Sequence, residues 1–180
     1  MREFETGTDV MLARREGQVA VLTFNRPDAR NALHPETYVA FEKLLPLLAE
    51  DPQVGALMLT GAGGAFCAGG DVKGMNARNS GTAPTAASFE SNVDDLRQRQ
   101  RTVSAALQNF PKVTVAAIDG AAAGAGLSIA LACDLRVASP RAIFTTAFAK
   151  VGFSGDFGGS WFLTQLVGAA KARELYLTAD

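Results

Sequence analysis

The sequence predicts an α/β domain whose strands pair at least partly in parallel. Short apolar runs of strand length alternate with longer helical stretches, the pattern of strand-then-helix units rather than of segregated layers. Small-residue loops punctuate the joints between them, at the places where backbone must turn or approach something closely. At 180 residues, 48% hydrophobic and 19% charged, the chain can bury roughly 70% of its unfolded surface in one core. Residues 1–180 therefore read as a single core domain.

Val19 to Phe24 is an apolar, partly β-branched run closed by Asn25-Arg26-Pro27-Asp28, which predicts a buried strand and a turn. After Pro35-Glu36, Tyr38, Phe41, Leu44, Leu45 and Leu48 recur at helical spacing, and Pro46 should kink that helix by removing one amide donor. Val54 to Thr60 predicts a second strand, and Gly61-Ala62-Gly63-Gly64 opens a glycine-rich loop that runs through Gly69-Gly70. Residues 76–88 are polar and small, the composition of a mobile surface flap. Phe89 to Phe110 carries an amphipathic helix that Pro111 ends, and Lys112 to Ile118 is a third strand. A second small-residue loop, Asp119 to Gly126, leads into Leu127 to Ala132, a buried helix. Strand signals return at Leu135 to Ala138 and Ala142 to Thr145. Beyond a third loop marked by Gly152, Gly155, Gly158 and Gly159, Trp161, Leu163, Leu166 and Val167 begin another apolar-faced helix.

Charge and composition exclude several function classes. With 17 basic against 18 acidic side chains, the net charge of −1 offers no reservoir for gripping nucleic acid. The longest apolar stretch, Ala121 to Cys133, is interrupted by Gly124, Gly126 and Ser128 and falls short of the ~18 residues a bilayer span requires. Two cysteines, Cys67 and Cys133, stand far apart without metal spacing, which suits buried thiols in a reducing, cytoplasmic setting.

The two small-residue loops have one design: each leaves a buried strand and feeds a helix, so free N–H groups at helix starts can meet negative charge. That is the equipment of an oxyanion hole, in which preorganised donors lower a barrier by about 2.7–4 kcal/mol each. The plainer reading, that these glycines only turn corners, stands beside it. No G-x-G-x-x-G follows the first strand and no G-K-[ST] is present, so a dinucleotide or phosphate loop is not indicated.

Asn25-Arg26-Pro27-Asp28-Ala29-Arg30-Asn31-Ala32-Leu33, Ala65-Phe66-Cys67-Ala68-Gly69-Gly70-Asp71-Val72-Lys73, and Asp119-Gly120 through Gly124-Ala125-Gly126 to Cys133-Asp134-Leu135-Arg136 follow one another along the chain. They look like three ordered signatures, and on them the chain resembles, over nearly its whole length from Val19 onward, the crotonase, or enoyl-CoA hydratase/isomerase, superfamily. The resemblance implies a crotonase-like spiral of ββα units that binds an acyl-CoA thioester, with coenzyme A as part of the substrate and no separate cofactor or metal. It implies that the amides of Gly70 and Ala125 hold the thioester oxygen, and that Ala29, Ala32, Ala68, Val72 and Lys73 line the CoA site. Lys73 is also readable as a solvated surface lysine. The family usually continues into further helices that build a trimer or a dimer of trimers, so a chain stopping at Asp180 reads as a fragment, with a homotrimer or hexamer expected of the full-length protein.

Departures from the family pattern narrow the chemistry. Its hydratases hold water between two glutamates, but the matching positions here are Ser128 and Phe148, neither of which supplies a carboxylate. What the chain offers is Asp156, in a loop of glycines and aromatics that resembles the isomerase-like branch, where one acid moves the proton. An apolar setting would raise its pKa towards that of a working base. The rival role for Asp156 is a helix N-cap ahead of Phe157. Three readings follow: an isomerase moving a double bond from 3-enoyl-CoA to 2-enoyl-CoA, a hydratase or thioester hydrolase using Asp156 and water, and a CoA-ester binding protein without catalysis.

The remaining polar residues read as structural. Asp71 and Asp134 are expected to anchor loops. His34, the only histidine, has no serine in a nucleophile elbow to partner. Cys67 has no basic neighbour to stabilise a thiolate, and the Trp161-Phe162 pair reads as core.

Overall fold

A computed structural model describes residues 1–71 and 89–179. Val72, Lys73 and the 76–88 segment expected to form a flap lie outside the described residues. Strands β1 (Arg2–Glu3), β2 (Met11–Glu16), β3 (Val19–Phe24), β4 (Ala56–Gly61), β6 (Val113–Ile118) and β8 (Leu135–Ala138) form a six-stranded sheet in the order β1-β2-β3-β4-β6-β8. The first three are antiparallel neighbours and the rest pair in parallel. A smaller, all-parallel sheet joins β5 (Ala65–Cys67), β7 (Ala121–Ala123) and β9 (Ile143–Thr145).

The chain visits the large sheet, then the small one, then a helix, and repeats. β4 and β5 precede α2 (Phe89–Gln100), β6 and β7 precede α3 (Ala125–Ala132), and β8 and β9 precede α4 (Gly159–Thr178). In the first turn, β3 is followed by a single bridge from Leu33 to Gly70 and then by α1 (Pro35–Glu50). This is the spiral of ββα units expected of the chain. Each parallel pair requires a crossover, and the intervening helix supplies it while covering the sheet.

The core lies between the large sheet and α1, with Leu22, Leu57 and Leu59 meeting Phe41, Leu44 and Leu48, all buried. Its apolar periodicity makes α1 a helix, and His34 caps it: the ring Nδ1 accepts from the Glu36 amide while the Thr37 hydroxyl accepts from the His34 amide. The lone histidine is thus a cap. Helix α1 continues through Pro46 to Glu50. Helix α2 continues through a π turn at Arg101–Ala105 and a short stretch at Ala106–Gln108, with Val103 and Leu107 buried. Asp134 anchors β6 as expected, its Oδ2 accepting from both the amide and the hydroxyl of Thr114 at 2.8 Å. Phe162 is buried, but Trp161 is 57% exposed, so that aromatic pair is core at one member only. No described helix is long and apolar enough to cross a membrane.

Helix α4 is two helical segments joined at Gly168, whose φ of 78° and ψ of 160° break the helical path. A straight helix of this length would separate Gly159 from Tyr176 by roughly 25 Å at 1.5 Å per residue. Instead a Cβ at Gly159 would stand 2.6 Å from the Tyr176 hydroxyl. The second segment therefore folds back, and the hydroxyls of Thr145 and Thr146 hold it by donating to the carbonyls of Ala179 and Leu175 at 2.7 and 2.9 Å.

Candidate active site

Two of the small-residue loops meet because glycine lets their backbones touch. A Cβ at Gly69, where φ is +88°, would lie 2.7 Å from the Ala123 carbonyl and 3.2 Å from the Ala125 nitrogen, and one at Gly126 would collide with Cys67. No residue with a side chain fits at either place without backbone displacement. At this contact Gly70 and Ala125 both line one pocket. Ala125 is the first residue of α3, so its N–H has no carbonyl within the helix to meet. Gly70 is engaged through the bridge to Leu33, whose amide donates to the Gly69 carbonyl at 2.8 Å. Among the described residues neither amide donates to a backbone carbonyl.

The pocket holds about 480 Å³ of space open to solvent, and its wall includes Ala68, Gly70, Ala125, Phe148, Phe153 and Asp156. Three expected site residues, Gly70, Ala125 and Asp156, therefore converge. Asp156 is the only ionisable side chain among the described residues of the wall. Burial pushes its carboxyl up to about 6, and its Oδ1 is buried without a hydrogen-bond partner. An unpaired carboxylate in an apolar wall binds a proton more readily than one in water. The capping role is excluded, because the N-cap of α4 is Gly158 and no side chain caps it. Phe157 fixes the loop: its φ is +51°, its ring is buried, and it stacks on Tyr38 at 6.2 Å, with the Arg99 guanidinium over Tyr38 at 4.8 Å.

Phe148 belongs to the same wall, and Ser128 lies in α3 one turn beyond the wall residue Gly124. The Ser128 hydroxyl is buried and donates to the Gly124 carbonyl at 3.3 Å. Phe148 stacks nearly parallel on Tyr176, 6.1 Å between ring centres. Neither offers a second proton carrier. Cys67 is fully buried and burial pushes its thiol up to about 12, which makes it inert packing.

A second hollow, of about 900 Å³ and open to solvent, shares Ala68 and Gly70 with the pocket and continues along Asp28, Ala29, Arg30, Ala32 and Asp71. Ala29, Ala32 and Ala68, expected to line a CoA site, thus lie together. Arg26 frames this wall by donating to the Ala32 carbonyl at 2.7 Å and pairing with Asp71 at 3.3 Å.

Two features carry no signal that the sequence reading used. Asn31, buried and left-handed at φ 58°, donates to the carbonyls of Ala62 and Ala65 and accepts from the Arg26 amide, all at 2.8 Å, so it ties the first signature to the second. Asparagine's tolerance of left-handed backbone was the available signal. Tyr176 lies behind the acid loop and carries no motif at all.

A family profile described as enoyl-CoA hydratase/isomerase matches residues 14–180. The chain is 36% identical over 173 residues to a 1,2-epoxyphenylacetyl-CoA isomerase of Escherichia coli, covering 96% of this chain and 63% of that protein. It is 34% identical over 171 residues to a short-chain-enoyl-CoA hydratase of Clostridium acetobutylicum, covering 94% and 62%. The crystal structure of an enoyl-CoA hydratase from a Polaromonas species superposes with a TM-score of 0.85 at 35% identity, covering 94% of this chain and 63% of that one. The chain thus spans a little over six-tenths of the length of the curated relatives it matches.

Proposed function

The chain belongs to the enoyl-CoA hydratase/isomerase family, and from that premise we propose that it shifts the double bond of a 3-enoyl-CoA to give the 2-enoyl-CoA. The observation that carries this reading is Asp156, the one ionisable wall residue among those described, buried and unpaired at Oδ1 in a pocket whose wall also holds Gly70 and Ala125. The Asp156 carboxylate takes a proton from C2. The electron pair left behind moves onto the thioester oxygen, where the two N–H groups stabilise the enolate. The same carboxyl then returns its proton at C4 while the C3–C4 double bond relocates to C2–C3, so atoms balance and no cofactor is consumed. Phe148, standing where a hydratase would carry a second glutamate, favours single-acid proton transfer over addition of water. The hollow along Ala29, Ala32 and Ala68 would take the CoA moiety, with Arg30 supplying charge for its phosphates. The full-length protein would act as a homotrimer or hexamer in the cytoplasm.

A product assay tests this. Incubated with 3-enoyl-CoA, the chain yields 2-enoyl-CoA, and Asp156→Ala lowers turnover at least 10²-fold, the lower range for a lost general base. A 3-hydroxyacyl product or free CoA would assign water chemistry instead. Binding without turnover in wild type would assign a CoA-ester binding protein.

A further inference from the structure

We propose that Tyr38 is a positioning residue: its ring, with the Arg99 guanidinium set over it, clamps Phe157 and so fixes the neighbouring Asp156 carboxylate. The effect on turnover rests on the reading of Asp156 as the proton carrier, but the clamp is independent of which product forms. The loop that carries the acid has little else to hold it. Among the described residues, the one backbone hydrogen bond made by residues 154–157 runs from the Gly159 amide to the Asp156 carbonyl at 3.1 Å. Gly152, Gly155 and Gly158 bring no side chain, and Val151 and Phe153 are exposed. Between Phe148 and Gly159, Phe157 is the only buried residue. Its backbone is left-handed at φ +51°, in a loop where Gly155 stands at +108° and Gly158 at +73°. A phenylalanine keeps such an angle only where its surroundings impose it.

What imposes it is a stack that reaches across two helices. The Phe157 ring lies on that of Tyr38, with centres 6.2 Å and planes 16° apart, and the Arg99 Cζ stands 4.8 Å from the Tyr38 ring centre. Aromatic pairs and cation–ring contacts at such distances attract beyond what burial alone supplies. Both partners sit on helices: Tyr38 lies near the capped start of α1, and Arg99 lies at the end of α2, paired with Asp95 one turn earlier. Contacts therefore run from Asp95 to Arg99, Tyr38 and Phe157, and end beside the acid. From another side the Tyr176 ring closes on Gly155, where a Cβ would come 2.9 Å from it. Both phenols near Asp156, Tyr38 and Tyr176, are pushed up to about 12 by burial and stay neutral in the working range. Burial likewise accounts for the raised Asp156 carboxyl, so its titration gauges how the loop is seated: a loosened loop wets the acid and lowers it.

Asp156 itself is the first readout, followed by NMR of protein isotope-labelled in its aspartate carboxyls, the resonance being the one that Asp156→Asn removes. In wild type it should titrate near 6. Tyr38→Phe keeps the ring and should leave that titration unmoved, with kcat within about twofold. Tyr38→Leu removes the ring and should move the titration from about 6 towards 3.8. It should also lower kcat about ten- to 10²-fold with KM within about threefold, because misplacing a reacting group by about 1 Å costs up to that much. Arg99→Gln changes a partly exposed side chain and carries the test should Tyr38→Leu not fold: the titration again moves down, and kcat falls about two- to fivefold. The direction is diagnostic, because loss of a cation's charge alone moves a nearby carboxyl up. A titration unmoved in Tyr38→Leu, one moved up in Arg99→Gln, or equal losses in Tyr38→Phe and Tyr38→Leu overturns the clamp. Wild type that titrates near 6 without forming 2-enoyl-CoA refutes the isomerase reading and leaves the clamp standing.

Discussion

Asp156 carries two linked consequences at the scale of a single residue. In its proposed role as base it must be ionised, so activity should rise with pH and level off above about 6, the value to which burial pushes its carboxyl. The acid limb of kcat/KM against pH reads this directly, and a limb near the ordinary value of 3.8 would contradict the buried setting. The same shift is a stability statement. Because the folded carboxyl holds its proton up to about 6 while the unfolded one releases it near 3.8, the native state binds more protons between those values. Stability attributable to Asp156 is therefore full below about 3.8 and is lost as pH rises through about 6. Asp156→Asn should have no advantage at pH 3.5 and should exceed wild type at pH 8 by on the order of 1–2 kcal/mol, allowing for partial exposure. Urea denaturation at the two pH values checks this. Much of the site was legible one residue at a time. Gly70, Ala125 and Asp156 lie on motif loops, and the loops converge. Tyr176 was not, because nothing local marks a tyrosine whose place depends on a helix folding back.

That fold-back belongs to the scale of elements, and Gly168 makes it possible. Its φ of 78° with ψ of 160° lies where a Cβ is strongly disfavoured, yet the surrounding space is open, with no heavy atom within 4 Å of where that carbon would stand. The cost of Gly168→Ala is therefore conformational, roughly 1–3 kcal/mol, and it acts on the joint that brings Tyr176 to Gly159. A thermal melt should show that loss together with reduced turnover, whereas Gly55→Ala, whose added carbon would meet Gln18 at ordinary distances of 3.5 Å and more, should stay within about 0.5 kcal/mol. In sequence, Gly168 reads as a tolerated glycine within an apolar-faced helix, since tertiary contact alone decides its angles. The same limit explains the strands that were missed. β5 and β7 are only three residues each, Ala-Phe-Cys and three alanines, too short to show a period beside their glycines, and only pairing between successive turns makes them a sheet. In β2, Met11 and Ala13 face inward between Leu12 and Arg14, but a methionine and an alanine give a weak alternating signal. The long runs in β3, β6 and α1 were legible because burial on one or both faces leaves its period in the sequence.

At the scale of the molecule, the spiral makes stability unequal along the chain. The middle strands β4 and β6 are flanked on both sides, but β8 is an edge strand and carries Leu135 and Val137 exposed, the latter 63%. The turn that follows it holds Asp156, Phe148 and Tyr176, and its contacts inward run through α3 and the small sheet. In a stack of units that contact mainly their neighbours, the end with fewer buried partners opens first. The single tryptophan, Trp161, lies in that last turn, packed edge-on against Phe162 at 5.1 Å, and so reports its integrity. Under increasing urea, Trp161 fluorescence and enzymatic turnover should be lost together, ahead of the far-UV circular dichroism carried by α1 and α2. A difference of 1–2 kcal/mol between the two openings would separate the midpoints by roughly 0.5–1 M, given a slope of about 2 kcal/mol per molar. Coincident transitions from all three probes would mean that the last turn unfolds only with the core. Asp156 would then owe its placement to the whole molecule rather than to the turn that carries it.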